Sequence, residues 1–226
     1  MKTPRHIAVE GPIGVGKTSL TRRLATTLNA ETLFEAAAEN PFLPQYYANP
    51  ERHALATQLY FLCQRTPPSR PKAPTDASTR RLVTDFIFEK DRLFAKITLE
   101  QAEYALYEEI FRRFAPEAPA PDLVIYLAAP MPILRARIRQ RGIDYEQSVD
   151  DRYLQRVCEE YDAFFFAYKA APVLRVDTTE INLRDNDVHY ASLVAQLARG
   201  MDVNRAFCID TSPDQTLGND SPRVTI

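Results

Sequence analysis

One segment constrains this chain more than any other: Gly11-Pro12-Ile13-Gly14-Val15-Gly16-Lys17-Thr18, with Ser19 behind it. It fits GxxxxGK[ST], follows the β-prone run Ile7-Ala8-Val9, and opens into a stretch where Leu20, Leu24 and Leu28 recur at helical spacing. Each residue type has a physical job. Glycines let backbone N–H groups converge on phosphate oxygens, and the helix N-terminus adds positive potential. Lys17 reaches the outer phosphates of a nucleoside triphosphate as a mobile point charge, and the Thr18 hydroxyl is placed to ligate Mg²⁺. A glycine turn that merely joins strand to helix would match this pattern by chance in about one chain in a hundred, and the correct flanks lower that figure.

The rest of the chain alternates in the same way. Short apolar runs at 32–34, 82–83, 122–127 and 173–177 read as strands, the second ending at Glu35 and the third at Asp85. Helical spacing covers 17–29, 51–65, 88–114 (with a break near Thr98), 131–141, 149–169 and 187–199. Four of the 17 prolines fall between Pro67 and Pro74, a loop that cannot continue the preceding helix. Strands that alternate with helices imply parallel crossovers and a sheet covered on both faces. The expectation is an α/β three-layer fold of the P-loop kinase type, a five-stranded parallel sheet flanked by helices. One domain is expected over 1–200, with an arginine-rich lid at about 135–148. Residues 201–226 lose periodicity and read as a loosely ordered polar tail.

Composition narrows the setting. A length of 226 residues suits one domain, large enough to bury a core without staples. Cys63, Cys158 and Cys208 form no CxxC pair and read as small packed groups in a reducing compartment. A formal net charge of −2 argues against broad binding to nucleic acid or a membrane surface. No apolar stretch approaches the ~18 residues of a membrane span, and the N-terminal residues contain no signal core. The cytoplasm is the expected location.

A phosphate loop alone does not name the acceptor, since GTPases, motors and small-molecule kinases share it. GTPases carry a base-reading NKxD, which does not occur here, and the chain is short for a motor. A kinase of nucleosides, nucleotides or other small metabolites remains.

Several further pieces stand in a specific order. Phe34-Glu35 precedes Asn40-Pro41-Phe42; Tyr47 lies eleven residues before Gln58, which lies seven before Arg65; Arg137-Ile138-Arg139-Gln140-Arg141-Gly142-Ile143-Asp144-Tyr145-Glu146 follows later. In this order and spacing the chain, from about Ile7 to Leu197, resembles the deoxynucleoside kinase family, above all its bacterial deoxyadenosine and deoxyguanosine branch. The resemblance implies transfer of a phosphoryl group from ATP, with Mg²⁺, to the 5′-hydroxyl of a deoxynucleoside. It also implies a homodimer.

The roles it implies agree with the chemistry of the residues. Glu35, at a strand end on the ligand-binding edge of an open α/β sheet, is a carboxylate able to accept the 5′-hydroxyl proton. Glu39 is its alternative, because Ala36-Ala37-Ala38 replaces a proline-containing stretch usual in the family. The Gln58 amide offers donors and an acceptor to a base edge, and Arg65 resembles the arginine that borders the base. Tyr47 and Glu146 resemble the ligands of the sugar 3′-hydroxyl, with Tyr46 as a substitute for the former.

Arg137 and Arg141 share a helix face at i, i+4 and match the lid arginines that close over ATP phosphates. Arg135 and Arg139 read as a solvated face.

The chain departs from the pattern at the third strand. Much of the family has Glu-Arg-Ser, whereas this chain has Thr84-Asp85-Phe86. Asp85 suits a Mg²⁺ ligand, and Lys90, Asp91 and Arg92 are candidates to replace the missing arginine; Lys90 and Asp91 also stand near the base site. Two other readings share these residues: a nucleoside monophosphate kinase of the thymidylate type, and a non-catalytic nucleotide-binding subunit. Carboxylates at 35 and 146 would repel an acceptor phosphate, and a binding-only chain has no need of Lys17, Thr18, Glu35 and Arg137 together.

Overall fold

The computed structural model describes residues 4–66, 81–114 and 120–199. Five strands form one sheet in the order β2-β3-β1-β4-β5. They are β1 His6–Glu10, β2 Ala30–Leu33, β3 Arg81–Thr84, β4 Leu123–Ala128 and β5 Val173–Asp177. Every pairing is parallel, with Ile7 opposite both Val83 and Leu123. All five C-terminal ends therefore open on one edge, and the order reverses about β1, which marks the crevice where such sheets bind ligands.

The helices are α1 Lys17–Leu28, α2 Leu43–Ala48, α3 Pro50–Gln64, α4 Lys90–Thr98, α5 Gln101–Phe114, α6 Met131–Arg141, α7 Asp144–Gln147, α8 Asp151–Ala167 and α9 Asp187–Arg199. The period of two along each strand sorts side chains between two cores. Val9, Ile125 and Leu127 pack with Leu20 and Leu24 of α1, Leu134 and Ile138 of α6 and Leu193 of α9. Ala8, Val124 and Tyr126 face the other way, against Leu93 of α4 and Tyr161 and Phe165 of α8. A further cluster, Leu62, Phe88, Ala95, Tyr107 and Phe111, joins α3 to α4 and α5. At about 1.5–3 kcal/mol for each fully buried leucine, these faces hold the helices in place more than propensity does.

The fold expectation holds, with local differences. The second strand runs from Ala30 to Leu33, in register with Arg81 to Thr84, so Phe34 and Glu35 have already left the sheet. The helical pattern at 88–114 is two helices, interrupted where Leu99 adopts an extended backbone. The short helices α2 and α7 were not anticipated. At six and four residues they are too brief for a periodic signal, and both belong to the site. The expected proline-rich loop at 67–74 and polar tail at 201–226 lie outside the described residues. No helix among the described residues is long and apolar enough to cross a membrane.

Candidate active site

The loop between β1 and α1 has a left-handed backbone that its glycines permit. A Cβ on Gly11 (φ +147) would stand 2.2 Å from the Leu127 carbonyl oxygen, and one on Gly14 (φ +79) 2.9 Å from Ile138 Cγ1. Close approach to β4 and α6 therefore excludes any side chain there. No side chain caps α1, so its first N–H groups remain available to an anion. Lys17 folds back over the loop, donating from Nζ to the carbonyls of Gly11 (2.7 Å) and Pro12 (3.2 Å). Burial, then the nearby Lys90 ammonium, lowers its pKa to about 8. The loop is thus an anion cradle whose lysine is poorly compensated until phosphate arrives.

Asp85, one residue past β3, links donor and acceptor sides. Its Oδ2 accepts from the Thr18 hydroxyl at 2.8 Å, and its Oδ1 from the Glu35 backbone N–H at 2.6 Å. Thr18 and Asp85 together offer the hard oxygen ligands that suit Mg²⁺, which keeps its remaining positions for water and substrate phosphates.

Glu35 faces the same cleft and is held by two cations. Its Oε1 accepts from Arg65, and its Oε2 accepts from Lys90 Nζ at 2.9 Å. Arg65 also donates to Asp91, which is fully buried behind it and is not among the residues that line the cleft. Lys90 is 2% exposed; burial drives its pKa down, while Glu10, whose Oε1 lies 3.5 Å from Nζ, opposes that shift. Arg92 takes no part here, because it forms a bidentate pair with Glu108. Of the three expected substitutes for the missing arginine, Lys90 alone reaches Glu35.

Gln58, 4% exposed on α3, presents an Oε1 with no hydrogen-bond partner among the described residues. A buried acceptor of that kind is costly unless a donor reaches it. Asn40 is structural: its side chain donates to the Thr57 carbonyl and accepts from Phe42 N–H, pinning α2 to α3. Glu39 ends a single turn, exposed, while Glu35 is drawn into the charge network.

On α6, Arg137 donates to Thr178 Oγ1 (2.9 Å) and to the Thr178 carbonyl (2.6 Å). Arg141 forms a bidentate pair with Glu146, one arm at 3.0 Å. Tyr47 stacks on Tyr145 of α7, ring centroids 5.9 Å apart and planes 13° from parallel. Burial raises the Tyr47 pKa, and the nearby Glu146 carboxylate adds to the effect. Arg135 is not the solvated residue expected: it bonds the Val149 carbonyl at 2.6 Å and pairs with Asp151, tying α6 to the start of α8.

Lys17, Thr18, Ser19, Tyr47, Gln58, Arg65 and Arg137 line one cleft of about 740 Å³. Glu35, Asp85, Lys90, Arg141 and Glu146 also line it. That volume suits small-molecule substrates. Sequence reasoning missed Glu10, which ends β1 fully buried. Its carboxylate accepts from Gly11 N–H (2.9 Å), Ile87 N–H (2.9 Å) and the Tyr161 hydroxyl (3.1 Å), joining the phosphate loop to the acceptor side. An acid closing an apolar strand directly before the glycines was the available signal. Tyr145 was missed as well, and its place in the cleft depends on the unanticipated α7.

Comparison with known proteins fits this geometry. The family model for deoxynucleoside kinase matches residues 7–201. A deoxyguanosine kinase of Bacillus subtilis (strain 168) is 30% identical over 192 residues, covering 82% of this chain and 90% of the relative. A deoxyadenosine/deoxycytidine kinase of the same organism is 30% identical over 199 residues, covering 85% and 91%. A solved deoxyadenosine kinase from M. mycoides with bound dATP superposes with a TM-score of 0.74 at 23% identity, covering 85% of this chain and 99% of that one, and supports the fold. With a phosphate loop and a paired carboxylate in one cleft, and a family match that runs over residues 7–201, the chain belongs to the deoxynucleoside kinase family.

Proposed function

We propose that the chain moves the γ-phosphoryl group of Mg²⁺-bound ATP to the 5′-hydroxyl of a purine deoxynucleoside, giving the 5′-monophosphate for nucleotide salvage. The observation that carries this reading is the position of Glu35. Its carboxylate lies in the cleft between the phosphate loop and Gln58, held by Arg65 and Lys90. An acceptor hydroxyl there would donate to Glu35 while its oxygen faces the γ-phosphorus, so positioning and proton removal come from one group. Lys17 and the lid arginines Arg137 and Arg141 would meet the charge spreading over the γ-phosphoryl oxygens. Thr18 and Asp85 would hold Mg²⁺, which would supply charge neutralisation to the phosphates.

On the acceptor side, Gln58 would read the base edge with Arg65 beside it and Asp91 fixing Arg65 from behind. Tyr47 and Glu146 would take the sugar 3′-hydroxyl. Relatives named as deoxyguanosine and deoxyadenosine kinases favour a purine. We read the described elements as one catalytic domain acting in the cytoplasm. Leu106 on α5 and Phe166 on α8, 48% and 89% exposed, suit the apolar face that a homodimer would cover.

The test is a coupled ADP-release assay with ATP and a panel of deoxynucleosides, ribonucleosides and monophosphates. Turnover led by deoxyadenosine or deoxyguanosine is expected. Turnover confined to monophosphates would replace this reading with that of a monophosphate kinase, and no turnover at all would leave a binding subunit.

A further inference from the structure

The two lid arginines are held in different ways. Arg137 is anchored to Thr178, whose N–H and hydroxyl both bond the Ala128 carbonyl at the end of β4, so it is fixed on the donor side. Arg141 is instead bound by a carboxylate assigned to the acceptor sugar. Both Glu146 oxygens accept from its guanidinium; Glu146 is only 5% exposed, whereas the Arg141 side chain is 45% exposed, so the arginine can leave into open space while the carboxylate stays buried. The adjacent Tyr145 ring is stacked on Tyr47 of α2, which ties the short helix carrying Glu146 to the acceptor side.

Arg141 also stands between the two halves of the site. Its charge helps to lower the Lys17 pKa on one side and opposes the rise of the Tyr47 pKa on the other. Between the pair, Gly142 closes α6 in a left-handed turn (φ +69).

We propose that Glu146 restrains Arg141 until an acceptor arrives: the sugar 3′-hydroxyl takes over the Glu146 carboxylate, and the freed guanidinium moves onto the γ-phosphoryl group. This rests on the roles of Arg141 and Glu146 in the proposed function. A hydroxyl that donates to either Glu146 oxygen shares that oxygen's charge with the guanidinium already bound there, so each ligand weakens the other's hold. Without acceptor, the arginine that stabilises transferring phosphoryl charge stays withheld, and hydrolysis of ATP is suppressed. In that side reaction a water oxygen would attack the γ-phosphorus, the bond to the β–γ bridging oxygen would break, ADP would leave with the electron pair, and the water proton would pass to Glu35.

Acceptor-free ATP hydrolysis tests the exchange in the wild type, Glu146→Ala, and Glu146→Ala with Arg141→Ala. Loss of Glu146 is expected to raise hydrolysis at least tenfold, and removing Arg141 as well should return it to the wild-type rate or below. Hydrolysis unchanged in Glu146→Ala, or equally fast in the double variant, overturns the proposal. A second measurement needs no variant: a 2′,3′-dideoxynucleoside lacks the displacing hydroxyl, so saturating wild-type turnover should fall at least tenfold relative to the deoxynucleoside. Equal kcat on the two acceptors also overturns it. If the wild type phosphorylates no nucleoside, the kinase reading fails instead, while the hydrolysis comparison still reports on the restraint.

Discussion

Lys90 Nζ lies 2.9 Å from Glu35 Oε2, and Arg65 bonds the other carboxylate oxygen, so the proposed proton acceptor sits between two cations. Each carboxylate oxygen retains a lone pair for a substrate hydroxyl. The arrangement fixes the orientation of Glu35. A fixed carboxylate suits phosphoryl transfer, where a loose transition state needs the nucleophile aligned more than it needs early deprotonation.

Glu35→Gln keeps the size and hydrogen-bonding shape but removes the charge. The expected loss in kcat is about 10²–10⁴, the span for a missing general base, with little change in nucleoside affinity. Glu39→Gln, on an exposed residue of a short turn, should cost tenfold or less. Steady-state kinetics on both variants check the assignment, and the reverse order would move the catalytic carboxylate to Glu39.

Lys90→Met should damage the fold as well as the reaction. It leaves Glu10 and Glu35 without their shared ammonium, and Glu10 is fully buried. Removing one partner of a buried ion pair typically costs ~3–5 kcal/mol, because the remaining charge stays desolvated. A fall in denaturation midpoint together with kcat is expected. An unchanged midpoint would mean that Gly11, Ile87 and Tyr161 satisfy Glu10 unaided.

These residues differ in how legible they were. The phosphate loop was plain because its glycines, lysine and threonine fall within eight consecutive residues, and the sheet was plain because β1 and β4 carry continuous apolar runs at its centre. Glu35 was singled out from its strand end and the family resemblance together, with Glu39 as the alternative, and the strand stops two residues earlier than expected. What stayed hidden depends on pairing between distant segments. Lys90 meets Glu35 across 55 residues, Tyr161 meets Glu10 across 151, and neither contact leaves a local spacing. Arg135 misled for the same reason: helix periodicity gives its direction, whereas its partners, Val149 and Asp151, lie beyond the turn at Gly142.

Lys17 gives a dependence on pH with a definite sign. Burial lowers its pKa from 10.5 to about 8, so above about pH 8 the ammonium of the free protein loses its proton. Phosphate oxygens in the ATP complex favour the charged form and raise the pKa again. Binding above about pH 8 must therefore take up a proton, and ATP affinity should fall by up to tenfold per pH unit until the bound pKa is reached. Fold stability without ligand runs the other way. Between about 8 and 10.5 the unfolded chain binds the extra proton, so this group's contribution rises with pH across that window and is lost as pH falls through about 8. Calorimetric titration with ATP near pH 9, in buffers of different ionisation enthalpy, reads the uptake directly. Lys17→Met, which has no proton to gain, should abolish it; uptake that persists in that variant would assign the proton to another group, with Lys90 the nearest buried candidate.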